Sequence, residues 1–279
     1  MCSGATMADS ADANPITLLP APWQDRLEGA QVRPVSGGVC NTLCRIDTGE
    51  ASYALRVNNP EPERLGLDPD REARVLAAIT EQPWAPDVRY QSQHVLLTRW
   101  VEGEPPPGGD ATRLSWLCHA LDSVHRQSGE VPRIDVPNQL RILADRCGHQ
   151  ADATHRQIDR LMRDYNPPST LTLCHHDWHP GNLILARSGW TLLDWEFAGL
   201  GDPCLDIGSA INGFSLPGHA MESLSQLTGF RVKQLEHAAA IMNALEIIWY
   251  AANPELKANA SAVLADWLQG TPAAAPDET

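Results

Sequence analysis

The stretch "CHHDWHPGN", Cys174–Asn182, packs three histidines, an aspartate and an asparagine into one short segment. Twelve residues after its asparagine comes Asp194, in "WTLLDWE". Between them, "LILA" (183–186) and "WTLLD" (190–194) are short, apolar and strand-like, and "RSG" reads as a three-residue turn with Gly189 free to take a left-handed conformation. A hairpin centred on Ser188 puts Asn182 and Asp194 at equal distances from the turn, facing each other at the open end. Cross-strand β-carbons lie about 4.5–5.5 Å apart, so an amide oxygen and a carboxylate meet at one point. Both are hard oxygen ligands and suit Mg²⁺, with phosphate oxygens and water completing the octahedron.

Asp177 precedes Asn182 by five residues, with the sharp Pro180-Gly181 turn between them. That turn places Asp177 beside the metal pair and outside it. A carboxylate there suits the group that orients an attacking hydroxyl and accepts its proton. The spacing D-x-x-x-x-N, followed by a further aspartate, is that of a phosphoryl-transfer catalytic loop. A zinc site could draw on His175 or His176 together with His179, but no H-E-x-x-H or cysteine pair supplies the remaining ligands. A merely histidine-rich surface loop leaves the hairpin symmetry unexplained. His175 is expected to be structural, its ring bonded to backbone near Asp194. His179 could lie near the γ-phosphate, and His176 has no role legible in the sequence.

The chain has 279 residues, 43% hydrophobic and 20% charged, an ordinary globular composition with enough length for two lobes. A net charge of −14 argues against nucleic-acid binding, which needs a basic footprint, and suits a cationic ligand. Seven cysteines without any C-x-x-C read as reduced thiols of a cytoplasmic protein. No apolar run approaches the roughly 18 residues of a membrane span. Residues 1–15 and 271–279 read as a disordered leader and tail.

The elements that must position the loop follow in order. "AQVRPVSGGVCNTLCRI", "ASYALRV", "DVRYQ" and "HVLLTRWV" supply about five strands of an N-lobe over 16–101. Asp68 caps a helix opened by Pro69. "EGEPPPGGD" (102–110) is a hinge. Residues 111–270 turn helical, with one β-rich insert at 171–197. "FRVKQLEHAAAIMNALEIIWYAA" and "PELKANASAVLADWLQ" are the late helices. The expected class is α+β, a small antiparallel sheet with one helix followed by a larger helical lobe.

"HHDWHPGN" followed by "LLDWEFAGLGDPCLDIG" resembles the aminoglycoside phosphotransferase and choline kinase superfamily, small-molecule kinases with a protein-kinase-like two-lobe fold. The "DWEFAG", "GDP" and "DIG" elements are most similar to choline/ethanolamine and bacterial thiamine kinases, and "SGGVCNTLCRI" is similar to the choline-kinase nucleotide loop. The likeness covers roughly residues 31 to 250. It implies ATP and Mg²⁺ as cofactors, Asp177 as catalytic base, and Asn182 and Asp194 as metal ligands. Glu196 would reach a second magnesium or serve only as a salt-bridge partner. Asp206 would tie the loop to the following helix, and Asp202 could do the same.

For the nucleotide, Ser36, Gly37 and Gly38 would cover phosphates with backbone N–H groups. Arg56 would hold phosphate oxygens with Glu72 as its carboxylate partner, and residues 98–104 would border adenine.

The acceptor needs a hydroxyl within reach of Asp177. Glu246, Trp249 and Tyr250 stand at i, i+3 and i+4 of one helix, a carboxylate beside two aromatics that could hold an ammonium or thiazolium. The competing reading is that the aromatics are core. Trp178, Trp195 and Phe214 are further aromatic candidates, Trp195 being expected in packing. Three functions are therefore open: a kinase of a small cationic metabolite such as choline, ethanolamine or thiamine; an aminoglycoside or sugar kinase of the same fold; and a nucleotide-binding protein without transferase activity. Oligomeric state is not legible.

Overall fold

The computed structural model describes residues 14–36, 38–108, 114–127 and 130–270. Gly37, the expected leader up to residue 13, the end of the hinge at 109–110 and the tail at 271–279 lie outside them. The chain divides into two compact units: the part up to Glu61 with Asp87–Trp100, and Pro62–Pro86 with everything from Val101.

The first unit opens with a short helix, α1 (Ala21–Arg26), which the sequence reading left unassigned. Five strands follow: β1 (Gln31–Val35), β2 (Thr42–Asp47), β3 (Ser52–Val57) and, after the excursion into the second unit, β4 (Val88–Gln91) and β5 (Val95–Arg99). They form one antiparallel sheet in the order β1-β2-β3-β5-β4. Ile46, Tyr53, Leu55, Val95 and Leu97 pack on Ile16, Leu19 and Leu27 as its core. Side chains alternate faces along a strand. Arg56, one residue beyond Leu55, therefore stands on the face opposite that core, level with Leu43 and Leu96.

The second unit begins with α2 (Pro69–Ile79), capped as its sequence demands: Asp68 accepts from the amides of Asp70 and Arg71, and Pro69 takes the first helical position. The sequence placed this helix in the N-lobe, but its contacts tie it to the second unit. Arg71 Nη2 donates to the Glu196 carbonyl at 3.0 Å. Trp84, just beyond the helix, stacks between Trp190 and Trp195, with ring centroids 5.7 and 5.6 Å away.

Helices α3 (Leu114–His125), α4 (Val136–Ala144) and α5 (Ala151–Leu161) come next. The β-rich insert holds β6 (Thr172–Cys174), β7 (Leu183–Ala186), β8 (Gly189–Leu192) and β9 (Gly199–Gly201), as two two-stranded ladders. Helices α6 (Pro203–Gly213), α7 (Met221–Thr228), α8 (Val232–Ala252) and α9 (Ala260–Leu268) complete the unit. The last helix starts at Ala260 rather than at Pro254. Pro254 follows a C-cap, Asn253, whose carbonyl accepts from Leu256 N–H in a turn, so 254–259 is a loop. Among the described residues no helix is long and apolar enough to cross a membrane. Six of the cysteines are free thiols in the structure. Burial pushes Cys118 and Cys147 up to about 11 and Cys204 to about 12, so these stay protonated.

Helix α8 buries Leu235, Ala238, Ile241 and Met242 at three- and four-residue spacing over its first half, and from Ala244 to Ala252 it is buried on most sides. Its main partner is α6, and the two backbones meet at Gly208: a β-carbon there would lie 2.5 Å from the Ala238 carbonyl carbon. Gly208→Ala should therefore force the helices apart and cost about 1–3 kcal/mol, lowering Tm by about 5 °C. A thermal melt with an unchanged midpoint would show that α6 and α8 do not touch there.

Candidate active site

The hairpin forms, with a tighter turn than its sequence suggests. Leu183 pairs with Leu192 and Ala186 with Gly189, leaving only Arg187 and Ser188 in the turn. The symmetry centre falls between those two residues, and Asn182 is level with Leu193, whose N–H donates to the Asn182 carbonyl at 2.8 Å. Asp194 is one step past the pairing. It adopts a left-handed backbone, φ 61° and ψ 68°, before a 3₁₀ turn over Trp195–Phe197. His176 and Ser215 are the other non-glycine residues with positive φ among those described, so two of the three lie in this site.

Asn182, buried, donates through Nδ2 to both the carbonyl (2.9 Å) and Oδ2 (2.8 Å) of Asp177. That orientation leaves its Oδ1 as a hard oxygen donor. His179 Nε2 lies 3.6 Å from Asp177 Oδ2. Burial acts to raise the Asp177 carboxyl, but the His179 contact, His175 and Asn182 outweigh it and hold it below its ordinary value. His179 is the reciprocal case. Burial pulls it down, yet Asp177, Asp194 and Glu246 together raise it. Three carboxylates from separate segments thus act on one imidazole.

His175 is fully buried. Its Nδ1 accepts from Asp177 N–H at 3.3 Å, and its Nε2 lies 2.9 Å from the Leu193 carbonyl. An acceptor at Nδ1 and a carbonyl at Nε2 fix the neutral Nε2–H tautomer. Burial, the largest influence, keeps its pKa below the ordinary value despite Asp177 and Asp206. One ring thereby links the segment bearing Asp177 to the one bearing Asp194.

Asp206, in the first turn of α6, is 0% exposed. Its Oδ1 accepts from the amides of His175 (3.0 Å) and His176 (2.6 Å), and its Oδ2 meets Trp178 Nε1 (2.9 Å) and His125 Nε2 (2.8 Å). One turn on, Ser209 Oγ donates to the His176 carbonyl and accepts from Trp178 N–H, both at 3.0 Å. Burial acts to raise Asp206, but His125 and the other donors hold it below its usual range. His125, Cys174 and Asp206 are near enough to share a metal. However, both Asp206 oxygens are already engaged by N–H donors, and burial pushes the Cys174 thiol far above its ordinary value. His176, unassigned from sequence, is buried with Nδ1 3.2 Å from the Phe197 carbonyl and Nε2 unpartnered. Burial drives its pKa down.

Of the remaining expected residues, Ser36, Gly38 and Arg56 lie in the first unit and Glu72 in the second. A β-carbon on Gly38 would meet the Asn41 carbonyl at 2.6 Å, and Asn41 in turn accepts from Asn59 N–H at 3.0 Å. Asn59 was missed from sequence because a lone asparagine past a strand carries no pattern. Glu72 is a buried carboxylate on the stripe 72, 75, 76, 79 of α2. Glu196 is also buried, in the field of Arg71, a second residue the sequence reading missed.

The aromatic acceptor box needs correction. Trp249 is 8% exposed, and its Nε1–H donates to the Leu65 carbonyl at 2.8 Å, so it is core. Trp178 and Phe214 are buried too, and Trp195 packs on Trp84 as expected. Glu246 and Tyr250 remain accessible.

Two expectations follow. Asp206→Asn should cost about 3–5 kcal/mol, because an amide cannot accept all four donors, readable as a lowered urea midpoint. For His176, a folded pKa below the unfolded value of about 6.5 means that unfolding takes up a proton, so its contribution is full above that pH and is lost as pH falls. His176→Gln should flatten the stability profile below pH 6.5 by up to about 1.4 kcal/mol per pH unit. Parallel profiles for the two proteins would contradict it.

The family model described as "Phosphotransferase enzyme family" matches residues 31–240. Thiamine kinase from Shigella boydii is 32% identical over 124 residues, 41% of this chain and 44% of that protein, so the chain spans less than half the length of such curated relatives. Among solved structures, choline kinase LicA from Streptococcus pneumoniae superposes with TM-score 0.72 at 13% identity, covering 88% of this chain and 96% of that one. LicA in complex with AMP gives 0.68 at 13% identity over 91% and 95%. The five-stranded antiparallel sheet and the helical second unit thus share the fold of these kinases, and a chain matched from its first strand into α8 belongs to the phosphotransferase enzyme family.

Proposed function

We propose that this chain is an ATP- and Mg²⁺-dependent kinase that transfers the γ-phosphate to a hydroxyl of a small cationic metabolite such as choline, ethanolamine or thiamine. The observation that carries this reading is the convergence of Asp177, Asn182 and Asp194 around one loop: Asn182 Nδ2 holds the Asp177 carboxylate at 2.8 Å, and Asp177 and Asp194 act on the same His179 ring. The thiamine kinase match and the likeness to a choline kinase support the acceptor class. The AMP complex of LicA supports a nucleotide donor.

In this mechanism Asp177 accepts a hydrogen bond from the acceptor hydroxyl. As the hydroxyl oxygen bonds to the γ-phosphorus and the bond to the β–γ bridging oxygen breaks, the proton passes to Asp177. Asp177 is suited to this because it is held ionised at neutral pH. Asn182 Oδ1 and the Asp194 carboxylate would hold magnesium, which neutralises charge on the transferring phosphate when bound. Glu196, a buried carboxylate in the field of Arg71, would offer oxygen to a second magnesium. In the first unit, Arg56 and the backbone of Ser36 and Gly38 would hold the nucleotide phosphates.

The test is ADP release with choline, ethanolamine, thiamine and kanamycin as acceptors. Asp177→Ala should lower kcat by about 10²–10⁴-fold with an unchanged melt. Asp194→Ala should do the same and also lose magnesium-dependent nucleotide binding. Near-normal turnover in either variant would refute the assignment.

A further inference from the structure

With Trp249 turned into the core, helix α8 offers the acceptor side two accessible groups one turn apart, Glu246 and Tyr250. Both already face a cation of the chain. The Lys257 ammonium lies 4.5 Å from the centroid of the Tyr250 ring. Lys257 is also the strongest charged neighbour of Glu246, ahead of Asp177 and His179.

The contact is built into the fold. Lys257 sits in the 254–259 loop, which is fixed on both sides. Asn253 is fully buried, donates to the Trp249 carbonyl at 2.8 Å and accepts from Arg146 Nη2 at 3.0 Å. Arg146 also donates to the Arg64 carbonyl, and Arg64 pairs with Glu255 at 2.6 Å. On the far side, Ala260 N–H donates to the Lys257 carbonyl at 3.1 Å. The loop therefore holds the lysine stem over the tyrosine face.

We infer that Lys257 is a specificity-determining residue, a resident cation on the Glu246–Tyr250 seat that a cationic acceptor must displace. This rests on the cationic-acceptor reading above. Beside the reacting hydroxyl, the Lys257 ammonium then already faces the Glu246 carboxylate and the Tyr250 ring. A seat that already holds one ammonium admits a single weakly hydrated positive charge by exchange for it. It disfavours a polycation, which would need several uncompensated carboxylates. An exposed cation–π contact is weak, so exchange is affordable and its removal should change affinity by only a few fold.

Lys257→Met keeps the apolar stem and removes the charge, and Lys257→Arg keeps the charge. The probe is tetramethylammonium, which has the cation and no hydroxyl, titrated calorimetrically against the full chain. Lys257→Met should bind it about fivefold more tightly than the parent, and Lys257→Arg no more tightly. Adding Tyr250→Ala to Lys257→Met should remove the gain. In turnover, KM for choline should fall with Lys257→Met while KM for ATP does not follow. Equal or weaker tetramethylammonium binding by Lys257→Met overturns the inference. If the binding gain appears but choline, ethanolamine and thiamine are not phosphorylated by either protein, the acceptor reading fails while the role of Lys257 at the seat stands.

Discussion

A carboxylate with no access to water organises the segment around His175, His176 and Trp178. Removing an ionised aspartate from solvent costs several kcal/mol. Asp206 meets that cost with four donors on its two oxygens, two backbone amides, an indole and an imidazole. Charge-assisted bonds contribute about 1.5–3 kcal/mol each, so four can outweigh the desolvation, in keeping with a carboxyl held below its usual range. The two amides belong to consecutive residues, His175 and His176, and that pairing fixes a backbone which no helix or strand ladder holds. The left-handed φ of His176 persists because Asp206, Ser209 and the Phe197 carbonyl over-determine its position.

The anchor lies in α6, and α6 packs backbone to backbone on α8 at Gly208. The helix that holds the His175–Trp178 segment is thus pressed against the helix that carries Glu246 and Tyr250. Gly213 extends the same logic: a β-carbon there would lie 2.1 Å from the Trp178 carbonyl, so the end of α6 sits directly against the loop. The segment bearing Asp177 and the helix bearing Glu246 and Tyr250 are registered through a packed core, which deforms less than a flexible connection.

Much of this was legible in sequence because it follows local rules. The α2 cap is a local Asp-Pro signal, the five strands alternate or run apolar between turns, and the D-x-x-x-x-N spacing marks the loop. Glu72 was expected on α2 as a partner for Arg56, but its burial on the 72, 75, 76, 79 stripe was not foreseen. What escaped depends on distance in the chain. The union of α2 with the second unit rests on Arg71 reaching Glu196 and Trp84 entering a tryptophan stack, contacts spanning more than a hundred residues. Helical periodicity alone could not say which of Trp249 and Tyr250 faces inward. A single acceptor, the Leu65 carbonyl, decides it. The break at Asn253 is legible, but 254–259 reads as the start of the last helix because its composition is helical, and that helix begins only at Ala260.

The hairpin shows why a small error of register matters. In a regular ladder neighbouring residues face opposite sides. Because the turn holds two residues, Leu193 rather than Asp194 is level with Asn182, and an extended strand would carry Asp194 to the wrong face. The left-handed conformation at Asp194 breaks that alternation. Such a conformation costs on the order of 1–3 kcal/mol for a non-glycine residue, and the ring of His175 on the Leu193 carbonyl helps to hold it. The strain is confined to the residue whose carboxylate must share the surroundings of His179 with Asp177. A glycine there would relieve it but would have no carboxylate to offer, so the backbone strain at Asp194 is the consequence of placing a carboxylate where the hairpin's own geometry would not.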